Sequence, residues 1–155
     1  MAHLFSATGT WSAAGRRGTA ALDGDQSVAI SVPAQFGGTE PGTNPEQLLL
    51  ASALSCYMMG LGRLCANAGL AGGPVSVAIE GEVSRTPQGL HFDRIRLRPR
   101  FRAPATEAER EQLVQLAQQA EAACFIARTL RPVILYELDV DFLDDELAGA
   151  AASPD

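Results

Sequence analysis

"TNPEQLLLASALSCYMMG", residues 43–60, decides how the rest of the chain is read. Asn44 has the character of a helix N-cap and Pro45 suits the first helical position. Gln47 falls three residues after the cap, the spacing of a capping box. After Glu46 no side chain carries a formal charge until Arg63, apart from any ionisation of Cys56. The pattern predicts a helix from Pro45 to about Asn67 or Ala68, stopped by Gly69. Because it is apolar nearly all round, it is expected to be enclosed on most sides. The uncharged run from Gln47 to Gly62 is 16 residues, short of the roughly 20 that a membrane span wants. A buried core helix is the better reading.

Outward from this helix, "HLFSATGTW" (3–11) and "QSVAISVP" (26–33) look like short strands, with turns at "AAGRRG" and "LDGD". "FGGTEPGTNP" is a Gly/Pro loop leading into the helix. Downstream, "GGPVSVAIEGEVS" alternates, with Val75, Val77, Ile79 and Val83 opposite Ser76, Glu80 and Glu82. "LHFDRIRLRPRFR" alternates too, setting Ile95, Leu97 and Phe101 opposite Arg94, Arg96, Arg98, Arg100 and Arg102. Joined by "RTPQG", the two read as a hairpin with one buried and one solvated face. Glu80 and Glu82 are the expected partners of the arginines. Thr106 and Glu109 have capping-box spacing and open a second helix, whose inward stripe is Leu113, Leu116, Ala117, Ala120 and Cys124. "VILYELDVDF" is a last strand. Strands, helix, strands, helix and strand make an α+β fold. One domain is expected over residues 1–142, and residues 143–155 form an acidic, flexible tail.

The formal charge is −6, which argues against a general nucleic-acid binder; the arginine strand is better explained as a solvated face. His3 and His91 are the only histidines, and neither has metal-ligand spacing to a cysteine, so no metal is expected. Three scattered cysteines without a CxxC pair do not make a disulfide scaffold. No signal peptide is evident at the N-terminus, and a cytoplasmic location is expected.

The cysteines carry the chemistry. A single cysteine in an apolar helix is more often inert packing than a nucleophile, and Cys65 fits that description. Met58 and Met59 are read the same way, as core gap-fillers. Cys65 lies nine residues after Cys56, a rotation of roughly 900° and about 13 Å of rise, so the two thiols point apart and cannot join within one helix. Any partner of Cys56 is Cys124. Two inward thiols on separate helices suit peroxide reduction: a thiolate takes oxygen to become a sulfenic acid, and the second thiol condenses with it. An apolar site disfavours the thiolate, so a cation must stand nearby.

"GTNPEQLLLASALSCYMM" (42–59) together with "AEAACFIARTL" (120–130) resembles the OsmC/Ohr family of osmotically inducible and organic-hydroperoxide-resistance proteins. The resemblance implies an intertwined homodimer with antiparallel sheets around a buried central helix. It implies that Cys56 is the peroxidatic cysteine and Cys124 the resolving one. Arg16, with Arg17 as the alternative in "GRRG", and Glu46 would set up the thiolate. The N-terminus leans to the Ohr branch, while "LLLASALSC" and "CFIART" depart from it, which leaves the branch open. The implied substrate is an organic hydroperoxide. The resemblance implies no bound cofactor and an external dithiol, such as a lipoylated protein, that restores the thiols. Glu46 and Cys56 are ten residues apart, about 15 Å along a straight helix, so a shared site draws its glutamate from a second copy or from a broken helix. The alternative is a non-enzymatic dimer that binds an apolar small molecule or senses oxidants stoichiometrically.

Overall fold

The computed structural model describes residues 2–23, 25–38, 41–70 and 76–143. The chain divides into two compact units, residues 1–49 and 50–155. In the first, β1 (Ala7–Ser12), β2 (Arg17–Leu22) and β3 (Ser27–Ser31) form an antiparallel sheet in that order. The central strand β2 was not expected. It lies between the two turns, and only its alternating Gly18 and Ala20 are partly shielded. Arg16 closes the first turn with φ 50, a left-handed conformation that costs a residue bearing a side chain some strain. Every residue of β1 is exposed, Trp11 at 55%.

The predicted helix is present as α1 (Pro45–Asn67). Asn44 Oδ1 accepts the backbone N–H of Gln47 at 2.8 Å, the expected cap. The Gln47 side chain does not reach back to the cap; its Oε1 accepts from Thr43 Oγ1. Gly69 ends the segment with φ 72, the left-handed conformation that favours glycine. Enclosure on most sides is not observed. Only Ala53, Tyr57, Leu61 and Cys65, one stripe at four-residue spacing, are buried. Met58 and Met59 lie off that stripe and are 47% and 72% exposed, so they do not fill the core. The helix is long and apolar enough to cross a membrane by length and composition alone, yet its buried stripe packs in a protein core.

In the second unit, β4 (Ser76–Thr86) and β5 (Gly89–Arg102) form the expected antiparallel hairpin. Ile95, Leu97, Pro99 and Phe101 alternate inward, each buried. Burying each such large side chain contributes about 1.5–3 kcal/mol. The pairing slips between Glu82↔Arg94 and Val83↔Phe92, so Asp93 is an extra residue in β5. Gly81 sits where a Cβ would meet Phe92 at 2.7 Å and Leu50 at 3.1 Å, which lets α1 approach the sheet closely. α2 (Glu107–Ala123) starts at the Thr106–Glu109 capping box, as read from the sequence.

The last strand is two, β6 (Leu135–Leu138) and β7 (Asp141–Leu143). Both run parallel to β5 along one edge, because the chain returns to the sheet after a helical crossover. They and the link between them, more than β4, neutralise the arginine face: Arg96 meets Glu137 of β6 at 3.1 Å and Asp139 of the link at 3.4 Å, and Arg100 meets Asp141 of β7 at 3.8 Å. Of the expected partners, Glu82 makes one long contact to Arg94, at 3.9 Å. Leu143, assigned to the tail, is the last residue of β7; residues 144–155, Val75 and Gly24 lie outside the described residues.

Candidate active site: two thiols between helices

Cys124 is not on the last turn of α2. That helix stops at Ala123, and Cys124 stands between it and a short α3 (Phe125–Leu130), with φ −64 and ψ 110. The extended backbone lets one residue close both helices. Its N–H bonds Ala120 O and its sulfur accepts the N–H of Ala127 at 3.4 Å. The opposing wall is α1. Gly60, one turn beyond Cys56, has no side chain, and a Cβ there would stand 4.0 Å from Ala120 O.

Across this contact Cys124 Sγ donates to Cys56 Sγ at 2.8 Å, and both cysteines are free thiols. Cys124 is 3% exposed and Cys56 is half-buried. Burial pushes the Cys124 thiol up, and the contact with Cys56 pushes it the same way; the Ala127 N–H opposes both. Cys65, on the core stripe of α1, is 1% exposed, and burial pushes its thiol up as well.

The structure thus brings Cys56 and Cys124 together. Arg16 and Glu46 belong to the first unit. The Arg16 guanidinium donates to Phe36 O at 3.1 Å and Gly37 O at 3.2 Å. Glu46 sits in the first turn of α1, and its Oε2 is buried with no hydrogen-bond partner among the described residues. Within the single chain these two side chains do not bind each other. Because α1 is unbroken from Pro45 to Asn67, Glu46 lies about 15 Å along the axis from Cys56. No group of three or more metal-ligating side chains occurs among the described residues.

Sequence reasoning missed the polar surroundings of the thiols. Tyr57 is fully buried and Tyr136 half-buried, and their hydroxyls make no hydrogen bond among the described residues. Tyr136 interacts electrostatically with Cys124, Arg131 and Cys56; burial above all pushes its hydroxyl up to about 12. Arg131 in turn pairs with Glu121. The one sequence signal was scarcity: the chain has two tyrosines.

An α+β chain in which a thiol on one helix meets a thiol at the junction of two others, beside a mixed sheet, defines a dithiol protein. Residues 37–139 match the family described as OsmC-like protein, and the chain belongs to that family. It is 27% identical over 118 residues to the "uncharacterized protein YmaD" of Bacillus subtilis, covering 75% of this chain and 79% of that one. It is 24% identical over 127 residues to peroxiredoxin OsmC of Escherichia coli, covering 80% and 87%. Among solved structures, an organic hydroperoxide resistance protein from Elizabethkingia anophelis, crystallised with thiocyanate bound, has the same fold. Its TM-score is 0.72 at 22% identity, over 92% of this chain and 99% of that one.

Proposed function

We propose that the protein is a thiol-dependent peroxidase that reduces organic hydroperoxides to alcohols. The observation that carries this reading is the 2.8 Å contact between Cys124 Sγ and Cys56 Sγ, two free thiols on separate elements. Cys56, the more accessible sulfur, attacks the distal oxygen of the hydroperoxide as a thiolate. The O–O bond breaks, the alcohol leaves with a proton, and Cys56 becomes a sulfenic acid. Cys124 condenses with it, forming the Cys56–Cys124 disulfide and releasing water. An external dithiol, for which a lipoylated protein is one candidate, reduces the disulfide by thiol–disulfide exchange. The cytoplasm, which keeps thiols reduced, is the compartment this cycle needs.

The working unit is a homodimer, with Arg16 and Glu46 completing the site. Support comes from what a lone chain leaves open. α1 carries apolar side chains off its buried stripe, among them Met58 and Met59. Leu4, Phe5 and Trp11 are more than half exposed. Glu46 keeps a buried oxygen without a partner, which a guanidinium would satisfy by a charge-assisted contact. In the assembled site Glu46 orients Arg16, and Arg16 stabilises the thiolate.

The test is turnover of cumene and tert-butyl hydroperoxide against hydrogen peroxide with dithiothreitol present, followed by mass mapping of the oxidised chain. Many equivalents of organic hydroperoxide consumed per chain, and a disulfide joining Cys56 to Cys124, are expected. Consumption of a single equivalent makes the protein a stoichiometric sensor instead.

A further inference from the structure

Two sulfurs make up the disulfide of the proposed cycle, and a reductant must choose one of them. They are not equally open. The whole of Cys124 is 3% exposed, whereas Cys56 is half-buried. Thiol–disulfide exchange is a displacement at sulfur. The attacking sulfur, the sulfur attacked and the sulfur that leaves stand roughly in line, so the attacker arrives from the side opposite the leaving group. For Cys124 that side is closed, because the residue is sealed nearly all round. Its sulfur accepts the N–H of Ala127 at 3.4 Å and its own N–H bonds Ala120 O. Ala120 and Ala127 are themselves 1% exposed. Joining a second copy of the chain can only cover more of Cys124. Cys56, by contrast, keeps an approach that the hydroperoxide itself requires.

Departure of the second sulfur works in the other direction. Burial pushes the Cys124 thiol up, and a thiol that holds its proton more tightly leaves more slowly. The backbone N–H of Ala127 offsets part of this by receiving the charge that develops on the Cys124 sulfur. A closed line of approach is the larger obstacle. A poor leaving group slows the exchange, while a blocked approach leaves no geometry in which the new bond can form.

Building on the peroxidase reading, we propose that the reductant attacks the sulfur of Cys56 and not that of Cys124, so that Cys56 carries the mixed disulfide and Cys124 is the leaving group. One thiolate of the external dithiol bonds to Cys56 Sγ as the Cys56–Cys124 bond breaks. The electron pair of the broken bond goes to Cys124 Sγ, which takes up the proton released by the reductant's second thiol. That second sulfur, now a thiolate, attacks the reductant sulfur bound to Cys56. The reductant closes its own disulfide and Cys56 leaves as a thiolate. The cysteine pair gains two electrons and the dithiol loses two. Cys56 is thus the point of entry in both halves of the cycle, first for the hydroperoxide and then for the thiol.

The test starts from the full-length chain oxidised with diamide, so it does not depend on peroxide turnover. The Cys56–Cys124 disulfide is mixed with 2-mercaptoethanol, whose single thiol cannot close a ring, and stopped with acid at early times. Free thiols are alkylated with N-ethylmaleimide and the peptides are mapped by mass. The mercaptoethanol adduct is expected on Cys56 and the alkyl label on Cys124, in at least about tenfold excess over the reverse pattern. An adduct mainly on Cys124, or on both in comparable amounts, overturns the proposal. A second arm repeats the reaction in urea that unfolds the chain, where access no longer differs. There the preference should shrink to within about threefold; a preference that survives unfolding belongs to the local sequence and overturns the argument from burial. Diamide that leaves both thiols free overturns the peroxidase reading and this one together. A wild type inert to hydroperoxide, with the adduct still on Cys56, sinks the peroxidase reading alone.

Discussion

Cys56 and Cys65 share a helix, yet they occupy opposite chemical situations. Cys65 falls on the stripe of Ala53, Tyr57 and Leu61 and is sealed in the core. Cys56 precedes Tyr57 by one residue, which rotates it roughly 100° off that stripe and toward Cys124. The surroundings of a cysteine in this helix are thus decided by what stands opposite it, and only the tertiary structure supplies that.

Exchanging the roles of the two sulfurs should fail, and by a wide margin. Cys56→Ser is expected to lower hydroperoxide turnover by about 1,000-fold or more, while Cys65→Ser leaves it near wild type, measured as consumption of cumene hydroperoxide with dithiothreitol. Arg16→Ala should slow the first oxidation of Cys56 by about 100-fold if that side chain faces the sulfur in the dimer, with a far smaller effect from Arg17→Ala; stopped-flow mixing with peroxide reads both. Cys65→Ala should leave the oxidation rate alone and reduce stability by roughly 1–2 kcal/mol in urea unfolding, the loss expected of a small truncation in a packed core.

The smallest effect is in the pH dependence. Burial raises the Cys65 and Cys124 thiols in the folded chain, so their contribution is fully present below the unfolded thiol value of about 8.5. As pH rises past it, the unfolded chain ionises first and binds fewer protons than the native state. Stability then falls until the folded thiols ionise too. The unfolding midpoint in urea should therefore decline above about pH 8.5, and less steeply in Cys65→Ala.

Much of this was legible without coordinates because local chemistry dictated it. Asn44–Pro45 at the start of α1, Thr106 and Glu109 at the start of α2, and the alternation of β5 each rest on rules that act within a few residues. That any partner of Cys56 would be Cys124 was legible by elimination, since helical rotation alone separates Cys56 from Cys65; that it has one came from the family resemblance. What escaped notice depended on distant parts of the chain. β2 is short and poor in large apolar residues, so its pattern is weak; it exists because β1 and β3 flank it. The break at Cys124 has no proline or glycine to mark it. The arginines found their main carboxylates on β6 and β7, some forty residues later. The exposure of α1 was misjudged because an all-round apolar helix implies a cover without saying which chain provides it.

Asp93 shows how much one added residue can accomplish. Phe92 and Ile95 are three positions apart, which in a regular strand would send them to opposite faces. With Asp93 inserted, and held by Ser84 Oγ at 3.0 Å, Phe92 lies opposite Val83 while Ile95, Leu97 and Phe101 keep to the interior. Removing that aspartate would leave Phe92 two positions from Ile95, still on one face, in an unbroken ladder; what would be lost is the local bend and added twist that the extra residue gives the hairpin.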